Sequence, residues 1–474
     1  MTTPPGPLTT LSAAVRDGRL RVSDLVDVSI DRLGSAAPLN VLADETFDEA
    51  RAVATEMDSH AAPTGPLAGA PALIKDLEDW KGHPTRKGST ALRDAPKAMV
   101  NGVVPQRLAD AGVVVVGKST LPEFAVEGYT ANLLTGVTRN PWDEAYSPGG
   151  SSGGSAAALA AGVVLVATAT DGGGSIRIPA SLCGLVGIKP TNGLIGRWPT
   201  PDWIDYSTDG PFATATDDLA LLFDVMAGPV AGDPGAPPRA LVDHLVRWGD
   251  APSRLFAAER TSPLGPLPDG VRRAFYDAVS AVGELLGLDV DWRDADGFFP
   301  DGDPDLDWFT VTTAEHVASL GREWVDAHLG EFHVSTQEFL GAGLRVSASQ
   351  YLAARRRRYL YVRTLDQLLG DTGLLLTPTV ASEGWLADGR LSNDSEVHAL
   401  APDVYSTAVQ NVTGNPALSI PFGRLPTGLP FGLQITAPHF HDRRLLDVAA
   451  LIEAAHPWAR TAPGYEPLTA AFNL

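Results

Sequence analysis

A chain of 474 residues, 44% of them hydrophobic, can bury a large core, so neither disulfides nor a structural metal is needed to hold it together. Its formal net charge of −21 argues against a nucleic-acid partner, because phosphate binding needs clustered Lys and Arg. Cys183 is the only cysteine, which excludes an intrachain disulfide and fits a reducing, cytoplasmic compartment.

The start, Met1-Thr2-Thr3-Pro4-Pro5, has no basic residues followed by an apolar stretch, so no signal peptide is expected. Apolar residues recur at helical spacing over 8–33, and a further helix is expected over 40–57. The stretch 63–71, rich in Pro, Gly and Ala, reads as a loop leading into a short strand at 72–74. Four consecutive valines make 111–117 a buried strand, since β-branched side chains fit a pleated surface. Next come an alanine-rich helix at 155–161 and a second buried strand at 163–170 that runs into a triple glycine. Further on we expect a strand at 255–258, a helix at 269–286, and strands at 374–378, 417–421 and 431–436 before a closing helix at 445–455. Loops rich in Pro, Gly and Asp are expected at 228–238 and 294–306. The apolar runs at 113–116 and 374–376 are far short of the roughly 20 residues a bilayer requires, so no membrane partner is expected. Strand and helix alternate without repeats or a long linker, which predicts an α/β fold with helices on both faces of a sheet.

Three segments carry chemistry. Lys75 ends the apolar Ala72-Leu73-Ile74; there it would be desolvated, and a lysine made neutral by burial can act as a base. The competing reading is a buried ion pair with Asp76 or Asp79. The glycine-rich Gly149-Gly150-Ser151-Ser152-Gly153-Gly154-Ser155 opens a helix. In Thr170-Asp171-Gly172-Gly173-Gly174-Ser175, the three glycines can aim successive N–H groups at one point beside a serine, as an oxyanion hole requires. The competing reading there is a tight turn before a strand-like 175–178.

Other motifs fare worse. Residues 112–119 match the phosphate-loop pattern letter by letter, but the variable positions are all valine and belong to the strand itself. Residues 149–153 fit a Gly-x-Ser-x-Gly nucleophile elbow, with His439 or His441 as possible partners, yet that leaves Lys75 and 172–175 unexplained. The histidines show no metal spacing, and Cys183 sits in a buried apolar segment. The cluster Arg355-Arg356-Arg357-Arg358 reads as an ion-paired helix face, with an anionic ligand site as the alternative.

Together these segments resemble the amidase signature family of serine hydrolases. The resemblance runs through 69–76, 136–142, 149–162, 171–181 and 184–191, and returns at 414–421 and 429–434. It implies one domain over 1–474: a mixed, twisted central sheet covered by helices, with a signature core at about 60–225, a variable substrate-pocket region at about 228–370 and the rest of the core at about 370–460. It implies a Ser–cis-Ser–Lys triad in which Ser175 is the nucleophile, Ser151 the bridging serine in a cis peptide and Lys75 the base. Gly172, Gly173 and Gly174 would form the oxyanion hole, with Ser152, Thr170, Asp171 and Arg177 in supporting roles. Glycine at 172 and Ile178 resemble the branch that opens linear, aryl and cyclic amides; the branch that makes glutaminyl-tRNA with partner chains typically has Thr and Gln there. The expected substrate is a small amide with an apolar or aryl part, with esters and carbamates chemically reachable. Trp198, Trp203, Tyr206, Trp308 and Phe309 are candidate pocket linings. No cofactor or metal is expected, and the chain is expected to be a monomer or homodimer.

Overall fold

The valine run feeds the strand Val114–Ser119, buried along its whole length. This strand pairs in parallel with Pro71–Lys75 and antiparallel with the edge strand Leu42–Glu45. Pro71–Lys75 pairs on its other side, also in parallel, with Val166–Ala167. A second section of seven strands runs in the spatial order Phe212–Ala213, Val186–Lys189, Ala417–Arg424, Pro430–Thr436, Gly373–Pro378, Arg254–Ala257 and Val290–Trp292. Its pairings are antiparallel as far as Gly373–Pro378 and parallel beyond it. The computed structural model describes residues 4–60, 63–247, 249–262, 266–295, 297–391 and 406–474. The expected mixed sheet is thus found as two hydrogen-bonded sections, which share one apolar core through residues such as Leu73, Val116, Ile188, Leu376 and Leu418. Parts of three expectations lie outside the described residues: Met1–Thr3, residue 296 of the 294–306 loop, and 392–405 of the final core section.

Most elements fall where the periodicity places them, and the departures have physical causes. The helical stretch at 8–33 is two helices, Pro7–Arg16 and Val22–Ser35, separated where Gly18 turns the chain at φ +68°. The single helix expected over 40–57 is corrected to an edge strand followed by the helix Phe47–Ser59; Thr46 anchors the junction by donating its hydroxyl to Val115 O at 2.7 Å. The strand expected at 163–170 forms its ladder on Pro71–Lys75, with Leu165 N donating to Pro71 O and Thr168 N to Leu73 O. The chain then leaves that sheet, so that Thr170–Asp171 pairs with Thr208–Asp209. Residues 175–178 are not strand-like. Ile178 N donates to Gly174 O at 2.7 Å, and that bond opens the helix Arg177–Cys183.

In the middle of the chain, the helix Pro304–Leu320 begins inside the expected 294–306 loop. Asp303 caps it by accepting from Asp305 N and Leu306 N, and Pro304 takes the first turn, where its missing N–H costs nothing. The helix Ala348–Leu369 packs against it and carries the arginine cluster. Arg357 forms a two-pronged pair with Asp307, while Arg355 and Arg358 both reach Asp205 and lie over the Tyr206 ring. The cluster is therefore an ion-paired face that fastens neighbouring segments. Among the described residues, no helix is long and apolar enough to cross a membrane.

Candidate active site

Lys75 stands at the carboxyl end of Pro71–Lys75 with its side chain fully buried, its backbone N–H tied to Thr168 Oγ1 at 2.8 Å. Its Nζ lies 2.8 Å from Ser151 Oγ, 2.9 Å from Ser152 Oγ and 2.8 Å from Thr170 Oγ1. The ion pair weighed for it from sequence does not form. Asp76 instead pairs with the buried Lys118 at 2.9 Å, and Asp79 accepts from Thr85 Oγ1. Lys118 is the lysine of the apparent phosphate loop, so that match dissolves into a strand residue held by a carboxylate. Removing one partner of a buried pair strands the other charge. Asp76→Ala is accordingly expected to cost about 3–5 kcal/mol of stability, read by chemical denaturation.

With its nearest polar partners all hydroxyls, burial dominates at Lys75 and pushes its pKa down to about 7, against the pull of Glu78, Asp171 and Asp209. A neutral amine has two N–H donors and one lone pair, so one of its three hydroxyl partners must donate to it. Ser152 Oγ has a second partner as donor, Thr170 O at 3.5 Å. Ser151, joined to Gly150 by a cis peptide bond, lines the same cavity as Ser175, and so does Thr170.

That cavity has a volume of about 610 Å³, and Ser151, Thr170, Gly172 and the half-buried Ser175 lie on its wall. Lys75 and Ser152 are not on the wall; Lys75 reaches the cavity through the hydroxyls of Ser151 and Thr170. Of the aromatic candidates, Trp198 and Trp203 line the cavity, together with Phe124 and His316. The other three are corrected: Tyr206 is buried beneath Arg355 and Arg358, Phe309 packs edge-on against Phe339, and Trp308 lies behind the glycine turn. His439 and His441 do not line the cavity, and His439 Nε2 is 3.0 Å from Thr413 O.

The turn is held by a buried ion pair. Burial alone would raise the Asp171 pKa, but Arg177 grips both carboxylate oxygens, at 2.8 and 2.9 Å, and holds it at about 2. Asp171 also accepts from Gly174 N at 2.8 Å and Ile176 N at 3.2 Å. The Gly174 N–H is therefore already committed to a carboxylate. Of the three expected oxyanion donors, Gly172 and Gly173 have no backbone or side-chain acceptor among the described residues, as is also true of the Ser175 N–H, and Gly174 contributes shape, with φ at +129°. Close approach explains the other two glycines. A Cβ at 172 would meet the Trp203 ring at 2.2 Å, and one at 173 the Trp308 ring at 2.5 Å.

Sequence reasoning missed the far side of this network. Arg177 also donates to Gln410, Asn411 and Gln434, from segments more than 230 positions away. No local spacing announces such partners. It also missed Glu78 and Asp209, carboxylates on the cavity wall whose pKa values burial raises. Glu78 stands three residues after Lys75 and was findable by proximity; Asp209 reaches the site only through the pairing of Thr208–Asp209 with Thr170–Asp171.

The two-section α/β frame gathers at one cavity a glycine turn and a row of hydroxyls, with a buried lysine behind them, an arrangement suited to the hydrolysis of amide C–N bonds. A family model described as Amidase matches residues 24–282 and 301–446, and the chain belongs to that family. It is 34% identical over 476 residues to a glutamyl-tRNA(Gln) amidotransferase subunit of Synechococcus sp. (strain CC9605), covering 93% of this chain and 94% of the relative. It is 32% identical over 485 residues to an acylamidase of Rhodococcus erythropolis, covering 96% of each. Among solved structures, 6-aminohexanoate cyclic dimer hydrolase superposes with a TM-score of 0.85 at 27% identity, covering 97% of this chain and 98% of that one.

Proposed function

We infer that this amidase works through an acyl-enzyme on Ser175. The observation that carries the reading is the Lys75 amine, brought by burial to a pKa of about 7 and placed 2.8 Å from Ser151 Oγ on the cavity wall that also holds Ser175. Ser175 Oγ attacks the amide carbonyl carbon; its proton passes to Ser151 Oγ, and the Ser151 proton passes to Lys75 Nζ. The N–H groups of Gly172, Gly173 and Ser175 receive the tetrahedral oxyanion. The proton then returns through Ser151 to the leaving nitrogen as the C–N bond breaks, and water releases the acyl group by the reverse relay. Ser152 and Thr170 hold the lysine, while Asp171 and Arg177 hold the turn.

The substrate class this reading favours is a small amide with an apolar or aryl part, supported by the Trp198, Trp203 and Phe124 surfaces of the cavity. The acylamidase and cyclic-amide hydrolase likenesses agree with it. Esters and carbamates remain reachable by the same chemistry. The reading takes the whole chain as one amidase unit, cytoplasmic, acting as a monomer or homodimer.

A second reading, a glutamine-dependent amidotransferase component working with partner chains, is favoured by the Synechococcus relative. Trp203 weighs against it, because its ring fills the space a threonine side chain at 172 would need. The test is a panel of alkyl amides, anilides, a cyclic amide, esters and free glutamine given to the purified chain alone. Turnover of anilides or cyclic amides without partners is expected; activity on glutamine only, and only with partners added, would favour the second reading.

A further inference from the structure

The glycine turn contains the donors that the Ser175 reading requires, and the side chains that aim them come from outside the turn. In a trans peptide the C=O and the following N–H point in opposite directions, so anchoring the oxygen fixes the N–H. Every carbonyl from 171 to 174 is anchored. Asp171 O accepts from Asn411 Nδ2 at 2.9 Å, and Gly172 O from Trp308 Nε1 at 2.6 Å. Gly173 O accepts from Thr407 Oγ1 at 2.6 Å, and Gly174 O from Ile178 N at 2.7 Å. The Gly172–Gly173 peptide differs from the next one. Thr407 anchors a peptide whose N–H, that of Gly174, goes to Asp171, whereas Trp308 anchors one whose N–H, that of Gly173, has no acceptor among the described residues. Gly172 lies on the cavity wall and Trp308 does not; the indole pulls the Gly172 oxygen behind the turn, and the Gly173 N–H points the opposite way.

Trp308 is itself held on several sides. It lies edge-on to Trp203, with ring centroids 5.6 Å apart, and its ring abuts Gly173. Its neighbour Asp307 is gripped by Arg357 and by Tyr361 Oη at 2.6 Å. Building on the Ser175 acyl-enzyme reading, we propose that Trp308 is a positioning residue that aims the Gly173 N–H at the oxyanion, and that Arg357 of the arginine cluster serves the site by fixing the helix that carries it.

The test compares Trp308→Phe, which keeps a ring but loses the N–H donor, with Thr407→Val, using an anilide substrate. Removing one oxyanion donor outright costs on the order of 100- to 1,000-fold, so a donor left unaimed should cost about 10- to 100-fold. Trp308→Phe is expected to lower kcat by that factor with KM within about twofold. It should weaken binding of a peptide-aldehyde-type inhibitor, which forms a tetrahedral adduct, by the same factor. Thr407→Val should lower kcat less, since the peptide it anchors aims at Asp171. Equal losses in the two variants, or a kcat loss in Trp308→Phe with unchanged inhibitor affinity, would mean that the indole only packs, and the proposal fails. A folded Trp308→Phe with full kcat overturns it directly. If Trp308→Phe does not fold, Trp308→benzothienylalanine, which keeps the bicyclic shape and replaces N–H by sulfur, takes its place with the same outcomes. Ser175→Ala is run alongside: turnover surviving there defeats the nucleophile reading itself, whereas an inactive Ser175→Ala beside a fully active Trp308→Phe defeats only the positioning role.

Discussion

Ser175→Ala is expected to abolish turnover of every amide and ester substrate, a loss on the order of 10⁴-fold or more, while leaving the fold intact. The size follows from how such groups act. On the acyl-enzyme reading, removing Ser175 Oγ ends that route altogether, and the residual rate is whatever binding and the amide donors supply to water. The intact fold follows from its placement. Ser175 is half-buried on the cavity wall, and the substitution deletes a single hydroxyl there. Its thermal midpoint should stay close to that of the unaltered chain. Initial rates on an anilide, together with a melting curve, read both halves. The elbow alternative makes the opposite forecast: Ser151 would attack and a downstream histidine would activate it. His439→Ala combined with His441→Ala should then be crippling, whereas on the present reading the pair costs little, because neither ring lines the cavity. Hydrolysis persisting in Ser175→Ala, or vanishing in the histidine double variant, would sink the Ser175 assignment.

What was legible in the sequence was local. The valine run, the apolar lead into Lys75 and the glycine loops each describe a few consecutive residues whose backbone demands are written in their side chains. Strands and helices came out with small shifts at their ends for the same reason. Among the misread elements, the strand Leu42–Glu45 is held by the partner strand Val114–Ser119 and has little strand character of its own. Lys75 shows the limit more sharply. From sequence its two fates, ion pair or neutral base, could not be separated, because the deciding fact is that Asp76 turns to Lys118 from the adjacent strand. The tertiary register of two parallel strands decides which lysine takes the Asp76 carboxylate. The glycine turn repeats the lesson. Its sequence offers three glycines as equivalent donors, and only the contacts of Asp171, Trp308 and Thr407 make Gly174 different from Gly173.

The second large effect concerns Lys75, the base of the proposed relay. Lys75→Ala should cost on the order of 10²- to 10⁴-fold in kcat/KM, the usual worth of a positioned general base. The pH profile gives the sharper test. Burial has brought the Lys75 pKa down to about 7, and the amine acts only when neutral. At pH above that value the lysine is unprotonated and kcat/KM should be flat. Below it the ammonium predominates, and the rate should fall about tenfold per pH unit. Lys75→Arg should be inactive across the whole range, since a guanidinium stays charged and has no lone pair to offer Ser151. Asp209→Asn refines the sign. Asp209 is one of the carboxylates that pull the lysine pKa upward, so neutralising it should move the descending limb to lower pH and leave the plateau in place. A profile flat between about pH 5 and 8, or a limb that moves the other way in Asp209→Asn, would show that the titrating base is not Lys75.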